Sequence, residues 1–506
     1  MLLHDAFEQS SLRLPEKTAL VAGEKRVSYA TLHHRVRALA QALREDGVSP
    51  GDRVLVMLEA GVEFAVAVHA VLRAGAVFVP ISAQTKTDKL VFLAQDTRAT
   101  ALLTQAPLAP QWRPALLRMS HLRSCRVAGS ADGAGELERA WPRDDAAAPA
   151  TITPRIDQDL AAIIYTSGST GVPKGVMLTH LNMCSAWMSV QSYLGLREDD
   201  VIGLALPPVF SYGLYNLLMG LGLGATVVIE RHAAFPIKLA QTLERERVTV
   251  FPGVPTLFAA LLGLAQPERF DFAALRLLTN AAAALPQAHL ERVRLLWPHA
   301  RLFSMYGLTE CKRASYLPPE QIDARPDSVG RGMPNQEHWL VDETGQRLPN
   351  GATGELVVRG SHIMLGYWER PAETAARLRP GPLPGQVVLH TGDLFRSDAD
   401  GYLYFVARCD DIIKTRGEKV APREVENAIY RLDGVTGCAV VGVPDETLGQ
   451  AVKAYVTLAA GSKLGERDLI RHCLAHLESH MAPKTVAIVD ELPRTESGKI
   501  RHASLR

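Results

Sequence analysis

The strongest constraint on the fold is a repeated change of hydrophobic period. Between Ser28 and Asp46, residues Leu32, Val36, Leu39, Ala40 and Leu43 recur at helical spacing, and GDRVLVML, Gly51 to Leu58, then reads as a buried strand. FAVAVHAVLRAGAVFVPI repeats the helix and strand pair. Such alternation predicts a layered α/β architecture with largely parallel sheets. His69 and Arg73 cut this second apolar window, and LLMGLGLGATVVI is short and glycine-rich against the ~20 residues a bilayer span needs. Both windows are therefore expected in the core, with no membrane span.

A chain of 506 residues exceeds one hydrophobic core, and about 150 residues per domain suggests roughly three or four compact units. SADGAGELERAWPRDDAAAPATITPR lacks periodicity and is expected to be an exposed excursion. Gly351 to Gly401 is rich in Gly, Val, Leu and turn residues, which predicts a β-rich subdomain. After Asp411 the pattern restarts with helix PREVENAIYRL, strands GCAVVGV and AVKAYVTL, and helix ERDLIRHCLAHLESH. The expectation is a small α+β domain of about 95 residues, with boundaries at 1–409 and 410–506.

Charge narrows the partners. With 55 basic and 54 acidic residues the net charge is +1, so no global field gathers nucleic acid or an anionic membrane. The six cysteines form no C-x-x-C pair or metal-spaced cluster, which predicts reduced thiols in a cytoplasmic protein. Asp5 and Glu8 stand where a signal peptide needs a basic region and an unbroken apolar core.

YTSGSTGVPKG, Tyr165 to Gly175, is composed for phosphate, yet it departs from the G-x-x-x-x-G-K-[ST] loop in which a helix starts at the glycine. Gly175 follows Lys174 where a magnesium-binding hydroxyl is expected, and Pro173 removes an N–H. A loop of hydroxyls and glycine amides at a strand end is expected in place of a helix-capped nest. Open α/β sheets bind ligands at such ends.

Further motifs follow in a fixed order: Tyr306 to Glu310 (YGLTE), Thr391 to Asp393 (TGD), Arg408 to Lys414 (RCDDIIK), Gly417 to Pro422 (GEKVAP), and Gly498 with Lys499. With Thr166 to Gly175 they make the chain, from Glu16 to Lys499, resemble the adenylate-forming superfamily of acyl-CoA synthetases, peptide-synthetase adenylation domains and beetle luciferases. The likeness is nearest to benzoate-type and fatty acyl ligases.

The resemblance implies activation of a carboxylic acid by ATP to acyl-AMP, then transfer to the pantetheine thiol of CoA or of a separate acyl or peptidyl carrier protein. It implies a catalytic Lys499 that bridges the carboxylate and the α-phosphate, with Thr309 donating to that phosphate and Glu310 holding Mg2+. Thr166, Ser167, Gly168, Ser169, Thr170, Gly171 and Lys174 would clamp the β- and γ-phosphates. Tyr306 and Gly307 would flank the adenine, and Asp393 and Arg408 the ribose. Asp410 would be the hinge of a mobile C-terminal domain that brings Lys414, Gly417 and Glu418 to the thiol.

These groups suit the chemistry, because a carboxylate attacking a phosphate needs cations that offset the charge of two anions. Magnesium takes only one or two protein carboxylates.

Two departures bear on the substrate. Phe210 stands where many acyl-CoA synthetases carry His, and PPVFSYGLYN lacks the Asp with which amino-acid-activating domains meet an ammonium. An α-amino acid is thereby disfavoured. Phe210, Tyr212 and Tyr215 either line an aryl or acyl pocket with Gly213 and Met305 or are plain core. In TNAAAALP, Ala281, Ala282 and their neighbours replace the usual glycines, which narrows the wall. Lys312 and Arg313 either read a second anion on the substrate or, as the favoured expectation, form a solvated or phosphate-facing pair. The expected partners are a small carboxylic acid and CoA or a carrier, and the expected assembly a monomer or homodimer.

Overall fold

The changes of period become elements where they were expected. Tyr29–Glu45 is a helix capped by the Ser28 hydroxyl, which accepts from Thr31 N; Arg53–Met57 is a strand, Val62–Arg73 a helix and Val77–Ile81 a strand. The computed structural model describes every residue except 130–135, 145, 147–153, 167–172, 282–284, 416–417, 446, 495–499 and 506. Two compact units result: Met1–Pro326 with Gly332–Glu337 and Arg359–Pro380, and Asp327–Arg331 with His338–Val358 and Gly381–Arg506.

In the first unit, one eight-stranded sheet runs in the order Gly366–Tyr367, Lys174–Thr179, Leu160–Thr166, Val77–Ile81, Arg53–Met57, Ala101–Gln105, Ser124–Ala128, Glu138–Ala140. From Leu160–Thr166 onward the pairing is parallel, and the strands nearest the middle are buried almost end to end. Helices on both faces of a parallel sheet require such unbroken apolar runs. A nine-stranded sheet contributes the adjacent parallel strands Val250–Gly253, Leu277–Asn280 and Arg301–Tyr306, followed by antiparallel Ser315–Leu317. Helices His180–Leu194 and Ser211–Leu223 belong to this unit as well. The window LLMGLGLGATVVI divides between the buried helix Ser211–Leu223 and strand Thr226–Ile229, as core residues should.

The stretch expected to be an exposed excursion also contributes the short strand Glu138–Ala140, which pairs parallel with Ser124–Ala128 at the sheet edge. Glu138 is buried and accepts from Arg113 at 3.0 and 3.1 Å, an ion pair that no hydrophobic period announces.

The second unit is β-rich and then α+β. Thr353–Gly360, Val387–Ser397 and Leu403–Arg408 pair antiparallel. Ile413–Thr415, Glu418–Val420, Val435–Asp445, Gly449–Leu458 and Thr485–Ile488 form a further sheet, packed with helices Pro422–Tyr430 and Glu466–His476 around Val425, Ile429, Val440, Val456 and Leu469. Among the described residues no helix is long and apolar enough to cross a membrane.

Candidate functional site

The strands that flank the glycine-rich loop, Leu160–Thr166 and Lys174–Thr179, pair antiparallel as a hairpin. Thr166 and Lys174 are register partners, as are Tyr165 and Gly175, so the lysine opens a returning strand and not a helix. The helix begins only at His180, after Thr179 has capped it with a reciprocal Thr179–Asn182 box. A Cβ on Gly175 would lie 2.6 Å from Ile163 Cγ2, so only glycine permits the two strands to approach here. Ser167, Gly168, Ser169, Thr170 and Gly171 lie outside the described residues. The base of the hairpin is anchored at Asp96, whose carboxylate accepts from the Tyr165 hydroxyl and, at 2.9 Å, from Arg370. Asp96 O accepts from Trp368 Nε1 at 2.9 Å. Burial, and then the Asp96 carboxylate, raise the Tyr165 pKa well above the usual phenol value.

Lys174 and Glu310 meet through a residue the sequence did not single out. The Lys174 ammonium lies 5.7 Å from the centre of the Tyr367 ring, and the Tyr367 hydroxyl donates to Glu310 Oε1 at 2.7 Å. Tyr367 belongs to the two-residue strand Gly366–Tyr367, paired with the lysine strand as Tyr367↔Val176, and Trp368 N donates to Gly175 O at 2.7 Å. Glu310 O accepts from Met364 N at 2.7 Å, so the same segment holds the glutamate by backbone and by side chain. The available signal was a Gly-Tyr-Trp triplet, and no spacing rule connects it to a glutamate far earlier in the chain.

Strand Arg301–Tyr306 ends in the loop that carries Gly307, Thr309 and Glu310, all partly exposed. The loop returns tightly: Ala314 N donates to Tyr306 O at 2.9 Å, and a Cβ on Gly307 would lie 2.3 Å from Lys312 O. That close approach turns Lys312 and Arg313 inward. The solvated half of the expected solvated or phosphate-facing pair therefore fails, since Lys312 is 4% and Arg313 3% exposed. Lys312 adopts φ +61°, a left-handed conformation uncommon for a side chain other than glycine or asparagine.

Both cations enter a set of aromatic rings. Lys312 Nζ lies 4.5 Å from the Tyr215 ring centre and 5.2 Å from that of Tyr212, and the Arg313 guanidinium lies 5.2 Å from Tyr212. Tyr212 is tied to Thr279, its hydroxyl 2.7 Å from Thr279 Oγ1 and 3.1 Å from Thr279 O. Tyr193 stacks on Tyr316 with ring centres 3.9 Å apart and donates to Met305 Sδ at 3.0 Å. Burial, then the neighbouring Arg313 charge, hold the Lys312 pKa well below the usual lysine value. Burial pushes the Tyr212 phenol up to about 12, against the opposing pull of Arg313.

The other residues expected at the substrate divide by depth. Phe210, the residue before helix Ser211–Leu223, is half-buried, whereas Tyr215 is fully buried. Gly213 packs on backbone, where a Cβ would lie 2.4 Å from Pro207 O. Ala281 is buried at the end of strand Leu277–Asn280, and Ala282 lies outside the described residues.

In the second unit, Asp393 and Arg408 are cross-strand partners, with Arg408 Nε 3.4 Å from Asp393 Oδ1. Asp393 is buried and Arg408 exposed. Gly392, at φ +69°, donates its N–H to Glu355 Oε1 at 2.8 Å, and Thr391 Oγ1 accepts from Asp393 N at 3.2 Å. Asp410 lies in the turn Cys409–Asp411, and Lys414 and Glu418 on the paired strands Ile413–Thr415 and Glu418–Val420. Gly417 and Lys499 lie outside the described residues.

Known proteins resemble this chain along most of its length. The family model for the AMP-binding enzyme matches residues 7–368, and that for the AMP-binding enzyme C-terminal domain matches residues 424–499. A feruloyl-CoA synthase of an Amycolatopsis species is 34% identical over 496 residues, covering 97% of this chain and 96% of that protein. The crystal structure of the anthranilate CoA ligase AuaEII in complex with anthranoyl-AMP superposes with a TM-score of 0.90 at 26% identity, covering 100% of this chain and 96% of that one. A benzoate CoA ligase from Burkholderia xenovorans LB400 gives 0.87 at 26% identity, with both chains fully covered.

Proposed function

The chain belongs to the AMP-binding enzyme family, and from that premise we propose that it activates an aryl or fatty carboxylic acid lacking an α-amino group. A carboxylate oxygen attacks the α-phosphorus of ATP, the bond to the bridging oxygen breaks, and pyrophosphate leaves with that electron pair. The thiol of CoA, losing its proton, then attacks the acyl carbonyl, and AMP departs as the carbon–oxygen bond breaks. The observation that carries this reading is the Lys174, Tyr367 and Glu310 array, which sets a cation over the ring and a carboxylate on the hydroxyl of one phenol.

Glu310 suits magnesium. One carboxylate oxygen is held by Tyr367, the backbone is held by Met364, and the ion asks the protein for only one or two carboxylates while phosphates and water complete its shell. When bound, Mg2+ supplies positive charge to the departing pyrophosphate. Lys174 offers a cation for the β- and γ-phosphates, and Thr309 a hydroxyl for the α-phosphate. Asp393 offers carboxylate oxygens to the ribose hydroxyls, and Arg408 steadies that carboxylate. Lys499 is the proposed cation of the adenylation step, and Asp410 the proposed hinge.

Electrostatics at the aromatic residues supports exclusion of amino acids. Phe210, Ser211 and Tyr212 offer no carboxylate to a substrate ammonium, and Lys312 and Arg313 are buried beside Tyr212. An ammonium brought near that pair would lose several kcal/mol.

Carboxylate-dependent exchange of labelled pyrophosphate into ATP tests the first step across a panel of acids. Lys499→Ala should abolish exchange; exchange that survives unchanged would refute this chemistry. Thioester formation on CoA, compared with a pantetheinylated carrier protein, tests the acceptor. A product on the carrier alone would replace CoA with the carrier.

A further inference from the structure

We propose that the acid activated by this enzyme carries a second carboxylate, remote from the one that is adenylated, and that Lys312 and Arg313 receive it. The inference rests on the activity proposed above and names its substrate class.

Three independent features of the loop support it. Two consecutive cationic side chains are turned into the protein, each more than nine-tenths buried. Neither has a carboxylate partner among the described residues, and Arg313 Nε has no hydrogen-bond partner. Among the described residues the Lys312 ammonium has a single acceptor, Ser211 O, at 3.4 Å, which is longer than a good N–H···O bond. Two of the three ammonium donors and the Arg313 Nε–H are thus left without an acceptor among the described residues. A buried charge in that state is expensive unless an opposite charge arrives.

The backbone has also been bent to this end. Lys312 holds φ +61°, and Gly307 clears the space in which the Lys312 and Arg313 backbone passes. Non-glycine residues in this region cost of order 1–3 kcal/mol and cluster where the strain serves a site. A lysine that merely filled the core would need neither the conformation nor a second cation beside it.

Position gives the anion its place. Lys312 and Arg313 lie over Tyr212, at the start of helix Ser211–Leu223, and Glu310 precedes them in the same loop. A planar or extended acid whose reacting carboxylate lies toward Thr309 and Glu310 would pass the tyrosine rings with its far carboxylate toward the two cations. Arginine meets a carboxylate with a rigid fork of donors, and the adjacent lysine adds a point charge.

The test compares pairs of acids that share a skeleton: benzoate with terephthalate, and octanoate with octanedioate, each scored by kcat/KM for pyrophosphate exchange. The dicarboxylate of at least one pair should exceed its partner by about 100-fold or more, as loss of a charged pairing partner implies. Lys312→Met and Arg313→Met should each reduce that ratio at least 10-fold, while exchange with the monocarboxylate is kept or raised. Monocarboxylates equal to or better than dicarboxylates in the native enzyme overturn the inference and leave the activity standing. So does an equal loss on all acids in both variants, which would assign the cations to ATP or to the core. The native-enzyme comparison decides the question even if a variant fails to fold. If no acid supports exchange, the proposed activity falls and this inference with it.

Discussion

Two regions of the first unit solve the problem of placing a charge in different ways. Around Lys174 and Glu310 the groups are partly exposed, and they are positioned by backbone pairing: a hairpin, a two-residue strand and a peptide hydrogen bond to Met364. Around Lys312 and Arg313 the groups are buried, and they are positioned by aromatic packing and a strained turn. The first arrangement keeps water and phosphate access, so its charges stay inexpensive before substrate arrives. The second removes water, so its charges are costly alone and selective toward what pairs with them. The former fits the proposed phosphate chemistry, and the latter the proposed choice of substrate.

Substitutions sharpen that contrast. Glu310→Gln should have the largest effect, lowering exchange by about 10³-fold, a loss typical of removing a charge that stabilises the transition state. Part of the loss should return at high Mg2+, measured as exchange rate against magnesium concentration. A loss insensitive to magnesium would place Glu310 elsewhere in the mechanism.

Burial without catalysis supplies a control. His69 lies in the core 4.4 Å, ring to ring, from Phe7 and is bonded through Nδ1 to Ala65 O; burial lowers its pKa from 6.5 to about 4. Between these values the unfolded chain binds the proton and the folded chain does not, so stability is complete above pH 6.5 and falls as the pH drops toward 4. The shift corresponds to about 3 kcal/mol. Urea midpoints across that range should fall with acid, and the slope should flatten in His69→Leu. An unchanged slope would show that His69 does not remain neutral in the fold.

Tyr367→Phe keeps the ring beneath Lys174 and removes only the hydroxyl that holds Glu310. Apparent magnesium affinity should weaken about 10- to 100-fold, the usual effect of losing a group that orients a metal ligand. Turnover at saturating magnesium should change less; a pure turnover defect would separate Tyr367 from the metal. Gly307→Ala should destabilise the protein by about 1–3 kcal/mol through overpacking. Its substrate preference should suffer more than its magnesium response, because the new methyl presses on the Lys312 turn. Arg408→Ala should alter stability least, by under ~1 kcal/mol, since exposed ion pairs contribute little.

The residues proposed to meet phosphate stand out in the sequence because they occur in short runs whose types suggest their chemistry. Hydroxyls and glycines at Thr166 to Gly175, the acid at Glu310 and the Asp393 and Arg408 pair all appear in motifs. The helix Tyr29–Glu45 and strand Arg53–Met57 were equally readable, because burial on one or both faces imposes a period. Tyr367 was not, since its partner Glu310 is joined to it only by the sheet. Nor was the strand Glu138–Ala140, which is short and stabilised at Glu138 by an ion pair with Arg113.

By itself the sequence determined the layered α/β architecture, the β-rich and α+β segments that follow it, and the motifs on which the proposed phosphate and magnesium chemistry rests. Hydrophobic period and motif composition are local properties, and both survive without knowledge of neighbours. Tertiary structure alone decided which way charged residues face. Lys312 and Arg313 read as a solvated or phosphate-facing pair until the tight return at Gly307 and the left-handed turn at Lys312 direct both toward Tyr212. The reason is physical: a lysine or arginine is tolerated in water or in a core according to what surrounds it, and those surroundings come from segments distant in the chain.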